Sequence, residues 1–500
     1  MTVLRYTPSS DLSNLDPQWS SATTVGQHGL MVYDTLFAQD SHNVPRPQMV
    51  DTYTISPDGL TYRFTLRPGL RFHDGQPVTS ADVVASINRW MPHDALGTKL
   101  KAALLSFEPD GDNGFSMVLK QPFPFLLLAL SSTGGAQAII MRKQDAEASL
   151  SKPITTAIGS GPFRFIPQKY VAGVGATWER NPDYIPRAEA PDGLAGGKVV
   201  KLDRVEMVVM PDASMRANAI KQGEIDFIDQ LPADLVPLLQ ADPNVVVSRL
   251  SSLGALSYIR LNQLYPPFNN IKARQAIALI VNQPDYMAGY GTPDWWQVCF
   301  SYFVCGSANG TDAGSEPYRQ QNLARAKQLL AEAGYHGEKI IVVATRELPA
   351  QGMLADVTVG ALQSIGVNVD FQLTDFATLV ARRMSKNAPD QGGWNMIHTA
   401  ISGPIQSEPA TNFNIDSGCA AATYFGWPCD ATVEALRSAY ISEPDAAKRR
   451  AMLDDLSRAV WASLPAILTG EYFSPYAWRK NVVGLLHANN VVFWNVEKTR

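Results

Sequence analysis

The 500-residue sequence has no apolar run approaching the roughly 20 residues that a membrane-spanning helix needs. Its longest candidates, Phe123–Leu130 and Ile277–Val281, have the length of core elements. Charge of one sign does not dominate either, because the sequence has 42 Lys and Arg and 47 Asp and Glu, which gives a net charge of −5. This balance gives no electrostatic reason to expect binding to nucleic acid or to an anionic membrane.

The sequence also lacks the common catalytic motifs. There is no HExxH, GxSxG or Walker A pattern, and both Gly159-Ser-Gly161 and Gly173-Val-Gly175 lack the third glycine of a nucleotide-binding loop. No two of the seven histidines are spaced i,i+4, and no carboxylate pair stands out. We therefore expect a protein that is not an enzyme and that has no cofactor and no metal site.

A secretory signal is absent from the start, where Thr2–Tyr6 already has the pattern of a strand. This fits either a cytoplasmic protein or a mature exported chain with an added initiator methionine. The four cysteines favour export, because Cys299 lies close to Cys305 and Cys419 close to Cys429, without CxxC spacing. We expect two short-loop disulfides and an oxidising, periplasmic or other extracytoplasmic compartment; the alternative is four free thiols in a cytosolic protein.

Length and patterning predict a multidomain protein of the α/β or α+β class. A prior of roughly 150 residues per domain gives two to four folding units. Strand-like alternation and amphipathic helical stripes are mixed along the chain. The clearest predicted elements are strands at 60–66, 225–228, 340–344 and 367–373, and helices from about 79, at 213–222, 323–333, 352–365 and 445–463.

Several motifs occur in an order and spacing that resemble one family. They are Asn14-Leu-Asp-Pro17, Tyr33-Asp-Thr-Leu36, Asp58–Arg67, Phe72–Val83, Gly159–Phe165, Lys221–Asp226, Pro266–Asn270 and Arg274–Ile277. Together they resemble the bacterial extracellular solute-binding proteins of the peptide, nickel and opine group (family 5), the dipeptide- and oligopeptide-binding type. The resemblance extends over nearly the whole chain, and Phe72–Val83 is among its most specific parts.

The resemblance implies a two-lobed periplasmic-binding-protein fold of type II, from the large cluster with an extra subdomain. The first lobe would comprise residues 1–253 and 473–500, with a subdomain at about 39–165, and the second lobe residues 254–472. A small-molecule or short-peptide ligand would bind in the cleft between the lobes, and hinge closure would present it to an ABC transporter permease. The resemblance also implies a monomer.

Candidate ligand contacts come from both implied lobes. Segment Ser21–His28 resembles the first-lobe contact loop, and Ser131–Gly135 is a second small, polar loop. In the second lobe, Trp394–Gly403 resembles the central cleft strand, and an aromatic run lies inside the suspected Cys419–Cys429 loop. The candidates are Thr23, Thr24, His28, Ser132, Thr133, Trp394, His398, Ala400, Ser402, Gly403, Tyr424, Phe425 and Trp427. For the tryptophans and His398 the alternative is a packed core residue.

The sequence departs from the family at both charge anchors for a dipeptide. Dipeptide binders carry an Asp just past the cleft strand, whereas this chain has Ile401-Ser-Gly-Pro404. They also carry an Arg at the start of a helix where this chain has Gly352-Met353, and Arg346 lies several residues early. Because an unpaired buried charge costs several kcal/mol, we expect an uncharged or singly charged amide ligand, with an aromatic amide as one option, instead of a zwitterionic dipeptide. A longer peptide, an opine or a metal chelate remains open, as does an amide-binding enzyme or a sensor.

Overall fold

The structure is a computed structural model that describes residues 1–419 and 424–499, without the side chains of residues 349 and 350. Two compact units divide the chain: Met1–Ser252 with Ser474–Arg500, and Leu253–Phe473. Both contain mixed sheets and helices, so the expected α/β class is confirmed. Among the described residues, no helix has both the length and the apolar character that a bilayer crossing requires.

A seven-stranded mixed sheet forms the core of the first unit. Its central strand, Val3–Thr7, runs parallel to both neighbours, and Leu4 and Tyr6 on it are fully buried. The C-terminal strand Tyr476–Arg479 joins this sheet by antiparallel pairing. In spatial order the strands are Phe163–Phe165, Gly175–Arg180, Arg204–Val208, Val3–Thr7, Phe227–Ile228, Tyr476–Arg479 and Val245–Ser248.

A four-stranded antiparallel sheet accompanies it within the first unit. Its strands, in spatial order, are Val50–Ile55, Thr61–Leu66, Gly114–Leu119 and Leu104–Asp110. Three short ribbons pair Asp34–Thr35 with Ile139–Ile140, Phe37–Gln39 with Pro45–Pro47, and Val482–Val483 with Glu497–Lys498. The predicted strand at 60–66 is confirmed as Thr61–Leu66.

The helices of the first unit follow their predicted start and stop signals. Thr79 and Asp82 form a reciprocal capping box, so the helix begins at Ser80 as expected. The helix at 213–222 ends at Gly223, whose φ of 78° is accessible to glycine at little cost. The α-helices are Thr23–Val32, Ser80–Trp90, Ala95–Ala103, Leu126–Ala129, Lys143–Ala148, Ala213–Gln222 and Val236–Gln240, and the 3₁₀ turns are Met91–His93, Pro167–Lys169 and Ala233–Leu235.

A six-stranded sheet forms the core of the second unit. The strand Ile340–Ala344 is buried throughout, as its continuous apolar run predicts, and it is parallel to Val369–Leu373 and Met396–Ser402. In spatial order the strands are Trp296–Gln297, Ile467–Tyr472, Ala255–Leu261, Met396–Ser402, Ile340–Ala344 and Val369–Leu373.

The helices of the second unit lie between its strands in chain order. The predicted helix at 445–463 is confirmed as Ala446–Ser463, with the Asp445 side chain accepting from the Lys448 amide at its start. The α-helices are Ile271–Leu279, Gln283–Met287, Leu323–Glu332, Pro349–Ser364, Phe376–Arg383, Gly403–Gln406, Ala431–Ser442 and Ala446–Ser463. The 3₁₀ turns are Ala288–Tyr290, Pro293–Trp295, Glu316–Tyr318, Pro389–Gln391 and Phe413–Ile415.

The segment expected to be a contact loop, Ser21–His28, is mostly helical instead. The helix spans Thr23–Val32, and every residue from Thr24 onward is buried. A helix buried all round shows no alternation of apolar and polar faces. Its composition, with Thr, Gly, Gln and His among apolar residues, therefore resembles a loop in the sequence.

The motif Gly159–Phe165 and the motif that contains His73 form one contact. The Gly159 amide donates to His73 Nδ1 at 3.3 Å, so Nε2 carries the proton and donates to the Gly161 carbonyl at 3.1 Å. The His73 amide donates to the Gly159 carbonyl at 2.8 Å. The two glycines lie against the C-terminal end of the helix Thr23–Val32, where Gly161 donates to the Val32 carbonyl at 2.9 Å.

Replacing Gly159 by alanine is expected to destabilise the first unit by about 1 to 3 kcal/mol. A Cβ at this position would overlap the Val32 carbonyl oxygen, which belongs to the backbone and has no freedom to rotate away. Urea unfolding of the variant measures the effect. Gly360→Ala is the matched control, because an added Cβ there meets nothing within 4 Å on an exposed helix position. Equal stability of G159A and wild type would contradict the packing argument.

Candidate functional site

Both predicted disulfides are present. The structure joins Cys299 to Cys305 and Cys419 to Cys429. The predicted aromatic loop within the second bridge is described only in part, because residues 420–423 lie outside the described residues. The described remainder, which starts at Tyr424, packs against the six-stranded sheet.

Four of the predicted contacts come together as an aromatic cluster. Trp394 lies 5.8 Å from Phe425 and 6.1 Å from Trp427 between ring centroids, and Tyr424 lies 4.4 Å from Phe425. Trp394 and Phe425 are fully buried and Trp427 is 3% exposed. They pack with Ile397 on one face of the sheet, so the cluster has the character of a core.

A buried arginine holds this cluster in place. Arg260 donates through Nε to the Phe425 carbonyl at 3.1 Å and through Nη1 to the Asn414 carbonyl at 3.2 Å. Its guanidinium carbon lies 5.2 Å from the Tyr424 ring centroid. Burial lowers the pKa of Arg260 to about 10, which leaves it charged at neutral pH. Sequence analysis did not identify Arg260, because it lies in the strand Ala255–Leu261 without any motif.

His398 projects from the opposite face of the sheet. Neighbouring residues of a strand alternate between faces, and Ile397 contacts the aromatic cluster whereas His398 contacts Thr358, with Nε2 2.7 Å from Thr358 Oγ1. The Tyr286 hydroxyl lies 3.0 Å from the same Thr358 oxygen. Burial lowers the pKa of His398 to about 3. The sheet therefore separates His398 from the aromatic cluster, and the structure does not bring the two predictions into one pocket.

The end of the strand Met396–Ser402 lies beside the point where the chain enters the second unit. Ser402 pairs with Ala255, and a Cβ on Gly403 would overlap the Gly254 carbonyl oxygen. Ser402 is exposed and Ala400 is half-buried. Of the predicted contacts in this unit, these two are among the most accessible.

A buried carboxylate lies at the same edge. Glu471 is fully buried and accepts from the Gly254 amide and from Gln297 Nε2, each at 2.9 Å. No local pattern marks it in the sequence, because it sits inside the strand Ile467–Tyr472. Its oxygens already accept protein hydrogen bonds at this edge.

Aromatic rings line this edge as well. Tyr290 and Tyr472 stack with centroids 3.8 Å apart and planes 12° apart, and Trp296 pairs with Tyr472 in the sheet. Trp296 is half-buried and donates its indole N–H to the Gly291 carbonyl at 3.0 Å. The adjacent tryptophans 295 and 296 were the only sequence signal for this aromatic group.

The first-unit candidates on the helix Thr23–Val32 differ in accessibility. Thr23 is exposed, whereas Thr24 is buried and donates to the Ser10 carbonyl at 2.8 Å. His28 is fully buried and accepts from Trp178 Nε1 at 3.2 Å. Burial lowers the pKa of His28 to about 3, so it is a neutral core histidine in this structure.

The loop with Ser132 and Thr133 lies near a cavity of the first unit. Ser132 donates to Asp94 Oδ2 at 3.1 Å, and burial raises the pKa of that carboxyl. Gln39, which lines the cavity, lies 3.4 Å from Ser131 Oγ. The cavity has a volume of about 520 Å³, and its lining comprises residues 39–43, 193–194, 248–252 and 487–489.

Two groups of potential metal ligands occur among the described residues. One contains Cys299 and Cys305 with Glu471, but both sulfurs are bonded to each other. In the other, Asp40 lies with His42 and Asp192, and Asp40 already accepts from the amides of residues 42 and 44 and from Arg46. The sulfurs of the first group are therefore not available as thiolates, and the Asp40 oxygens of the second group already accept hydrogen bonds.

Sequence comparison and structure comparison find similarity to the same kind of protein. The family model described as "Bacterial extracellular solute-binding proteins, family 5 Middle" matches residues 44–423. A relative from Sinorhizobium fredii, named "Probable peptide ABC transporter periplasmic-binding protein", is 36% identical over 492 residues, which cover 98% of this chain and 92% of the relative.

Solved structures share the fold at lower identity. The periplasmic binding protein AgaA of Agrobacterium tumefaciens R10, solved with agropinic acid, has a TM-score of 0.81 at 21% identity and covers 100% of this chain and 99% of its own. Helicobacter pylori DppA, solved with the peptide STSA, has a TM-score of 0.80 at 22% identity, covering 100% and 98%. The chain therefore has the two-lobed periplasmic-binding-protein fold.

Proposed function

Since the chain belongs to family 5 of the bacterial extracellular solute-binding proteins, we propose that it captures a small amide-containing solute that is uncharged or singly charged. As a family member, it is a substrate-binding protein of a peptide-, opine- or nickel-type ABC importer. In this proposal it delivers the solute to the permease as a monomeric, non-catalytic receptor outside the cytoplasm. Its lobes are residues 1–253 with 473–500, including a subdomain at about 39–165, and residues 254–472.

The pairing of Arg346 carries the proposal about ligand charge. Arg346 donates through both terminal nitrogens to Asp356, at 2.6 and 2.9 Å, and about half of each side chain is exposed. The Arg346 guanidinium is therefore already paired at the surface with Asp356 and is not positioned to bind a ligand carboxylate. The segment 401–404 supplies no carboxylate for a ligand ammonium. A zwitterionic dipeptide would therefore lose the partners on which its two charges depend.

The accessible groups suit an amide with an apolar or aromatic part. At the edge of the second unit, Ser402 offers a hydroxyl, and the half-buried Tyr472 and Trp296 offer flat apolar surface. In the first unit, Thr23 is exposed and Ser132 is half-buried, and both offer a hydroxyl, whereas Thr133 beside them is buried. Ligand sites of this kind combine apolar walls with a few fixed polar groups.

A thermal-shift screen tests the ligand class. The protein is refolded to remove any carried-over ligand and then melted with free dipeptides, opines, aromatic amides and nickel chelates. A ligand at 100 times its Kd adds about 2.7 kcal/mol of stability, and we expect this shift with amides and not with free dipeptides. A shift with free dipeptides alone would refute the proposal.

Arg346→Met sharpens this test. Because Arg346 is engaged with Asp356, the variant is expected to keep the Kd of the wild type for whichever amide binds. A large loss of affinity in this variant would show that Arg346 leaves Asp356 to clamp a ligand carboxylate. The charge argument would then be wrong, while the role as a binding protein would stand.

A further inference from the structure

Asp229 occupies the carboxyl end of parallel strands in the first unit. It directly follows the strand Phe227–Ile228, and its amide donates to the Thr7 carbonyl, at the end of the neighbouring strand Val3–Thr7, at 3.0 Å. Its side chain is fully buried. The carboxyl ends of parallel strands are the usual place for ligands in open α/β sheets. This position makes Asp229 a candidate for a role beyond packing.

Two polar atoms near Asp229, Gln27 Oε1 and the Tyr6 hydroxyl, have no hydrogen-bond partner within the described structure. Gln27 Nε2 donates to Asp229 Oδ2 at 3.0 Å, whereas Gln27 Oε1 makes no hydrogen bond within the described structure. The Tyr6 hydroxyl makes none either. Tyr6 lies opposite Phe227 in the parallel register. Asp229 follows Phe227 by two residues, so its side chain projects from the same face of the sheet as that of Tyr6. All three residues are fully buried.

The protein does not neutralise this carboxylate with a basic side chain. Within the described residues, no Lys, Arg or His lies within ion-pair distance of Asp229. The charge of Arg216 favours the ionised carboxylate, but this side chain donates to the carbonyls of Met210 and Pro211. The amide and the hydroxyl of Ser9 also donate to this carboxylate, and both contacts favour its ionised form. Burial outweighs these contacts and raises the pKa of Asp229.

A buried carboxylate without a cationic partner, next to an amide oxygen without a donor, is stabilised by a ligand that brings an N–H donor and positive charge. We propose that Asp229, with the amide oxygen of Gln27, receives a primary ammonium group of the ligand. The solute is then a singly charged cation: an amide with a free amino group and no carboxylate. The inference rests on the proposed function and specifies the sign of the ligand's charge.

Asp226 provides a matched comparison in the same part of the chain. It is also buried, three residues earlier, but Lys498 Nζ lies 2.9 Å from its Oδ1 and the Arg5 amide donates to its Oδ2 at 2.9 Å. Its charge is therefore compensated within the protein. Asp226→Asn should affect stability without altering which ligands bind, whereas Asp229→Asn should alter ligand choice.

The first experiment needs only the wild-type protein. Refolded protein is titrated by calorimetry with pairs of amides, each as the free amine and as its N-acetylated form, for example phenylalaninamide and N-acetylphenylalaninamide. Since truncating a buried charge pair weakens binding by roughly 30-fold or more, we expect the amine of a binding pair to bind at least that much more tightly. Equal affinity of the two forms would overturn this inference and leave the proposed function standing. Absence of binding by both forms of every pair would overturn the proposed function and this inference with it.

The second experiment compares variants. Asp229→Asn, which keeps the shape of the side chain, is expected to abolish the preference for the free amine while it still binds the N-acetylated form. Asp226→Asn is expected to retain the full preference. If Asp229→Asn kept the preference, or if both variants lost it equally, Asp229 would not be the ammonium partner. Melting curves of both variants confirm that each is folded at the titration temperature.

Discussion

Replacing Arg89 by methionine is expected to lower the free energy of unfolding by about 3 to 5 kcal/mol, because it leaves the buried carboxylate of Asp16 without its cationic partner. Arg89 and Asp16 form an ion pair in which both side chains are fully buried. Arg89 also donates to Gln18 Oε1 at 2.9 Å and to the Ser149 carbonyl at 3.0 Å. Methionine fills similar space but supplies none of these donors, so Asp16 would keep only weaker partners such as the Ile154 amide.

Chemical unfolding of the variant measures this loss. The control is Asp455→Asn, which breaks the Arg458 pair on an exposed helix surface where the two side chains are 58% and 69% exposed. Surface pairs contribute about 0 to 1 kcal/mol, so the control should unfold close to the wild type. If Arg89→Met and the control were equally stable, the buried pair would contribute no more than a surface pair.

Lowering the pH from 7 to 5 is expected to destabilise the protein by about 2 kcal/mol for each of three histidines, the buried His28 and His398 and the half-buried His73. Burial lowers the pKa of His28 and His398 to about 3 and that of His73 to about 4. An unfolded histidine has a pKa of about 6.5. Between pH 6.5 and these folded values the unfolded chain binds protons that the native state does not bind, so stability falls as the pH decreases.

Urea unfolding at pH 7, 6 and 5 measures this dependence. Replacing His73 by glutamine should lower stability at pH 7, because the contact with Gly159 and Gly161 is lost, and should also make the pH profile less steep. His487→Gln is the control, since this side chain is exposed and is solvated whether or not the chain is folded. A profile unchanged by His73→Gln would show that His73 does not contribute to the acid sensitivity.

Local sequence signals predicted much of the secondary structure. The capping box at Thr79 and Asp82, the stop at Gly223 and the apolar run 340–344 each depend on neighbours within a few residues, and the structure confirms them. The pairing of the four cysteines followed in the same way, because each pair is close in the chain. The family motifs in turn predicted the fold class that the comparisons show.

The candidate site was less accessible to this reasoning. The motif around Trp394–Gly403 predicted the strand, but Ile397 and His398 project from opposite faces of the sheet. Only Ile397 packs against the aromatic cluster. The helix Thr23–Val32 was missed because burial on every side removes the periodicity by which helices are recognised. In both cases the sequence singled out the segment but did not show which neighbours bury its side chains.

By itself, the sequence determined many of the helices and strands, the cysteine pairs, the family and the absence of the two dipeptide charge anchors, since all of these are read from residue identity and short-range spacing. Only the tertiary structure decided which groups meet. Gln27 and Asp229 are 202 residues apart, and Gly254 and Glu471 are 217 apart. Such contacts arise when sheets and helices pack, and no local pattern encodes them. The charge preference that we propose for the ligand therefore became visible only when distant buried groups were placed side by side.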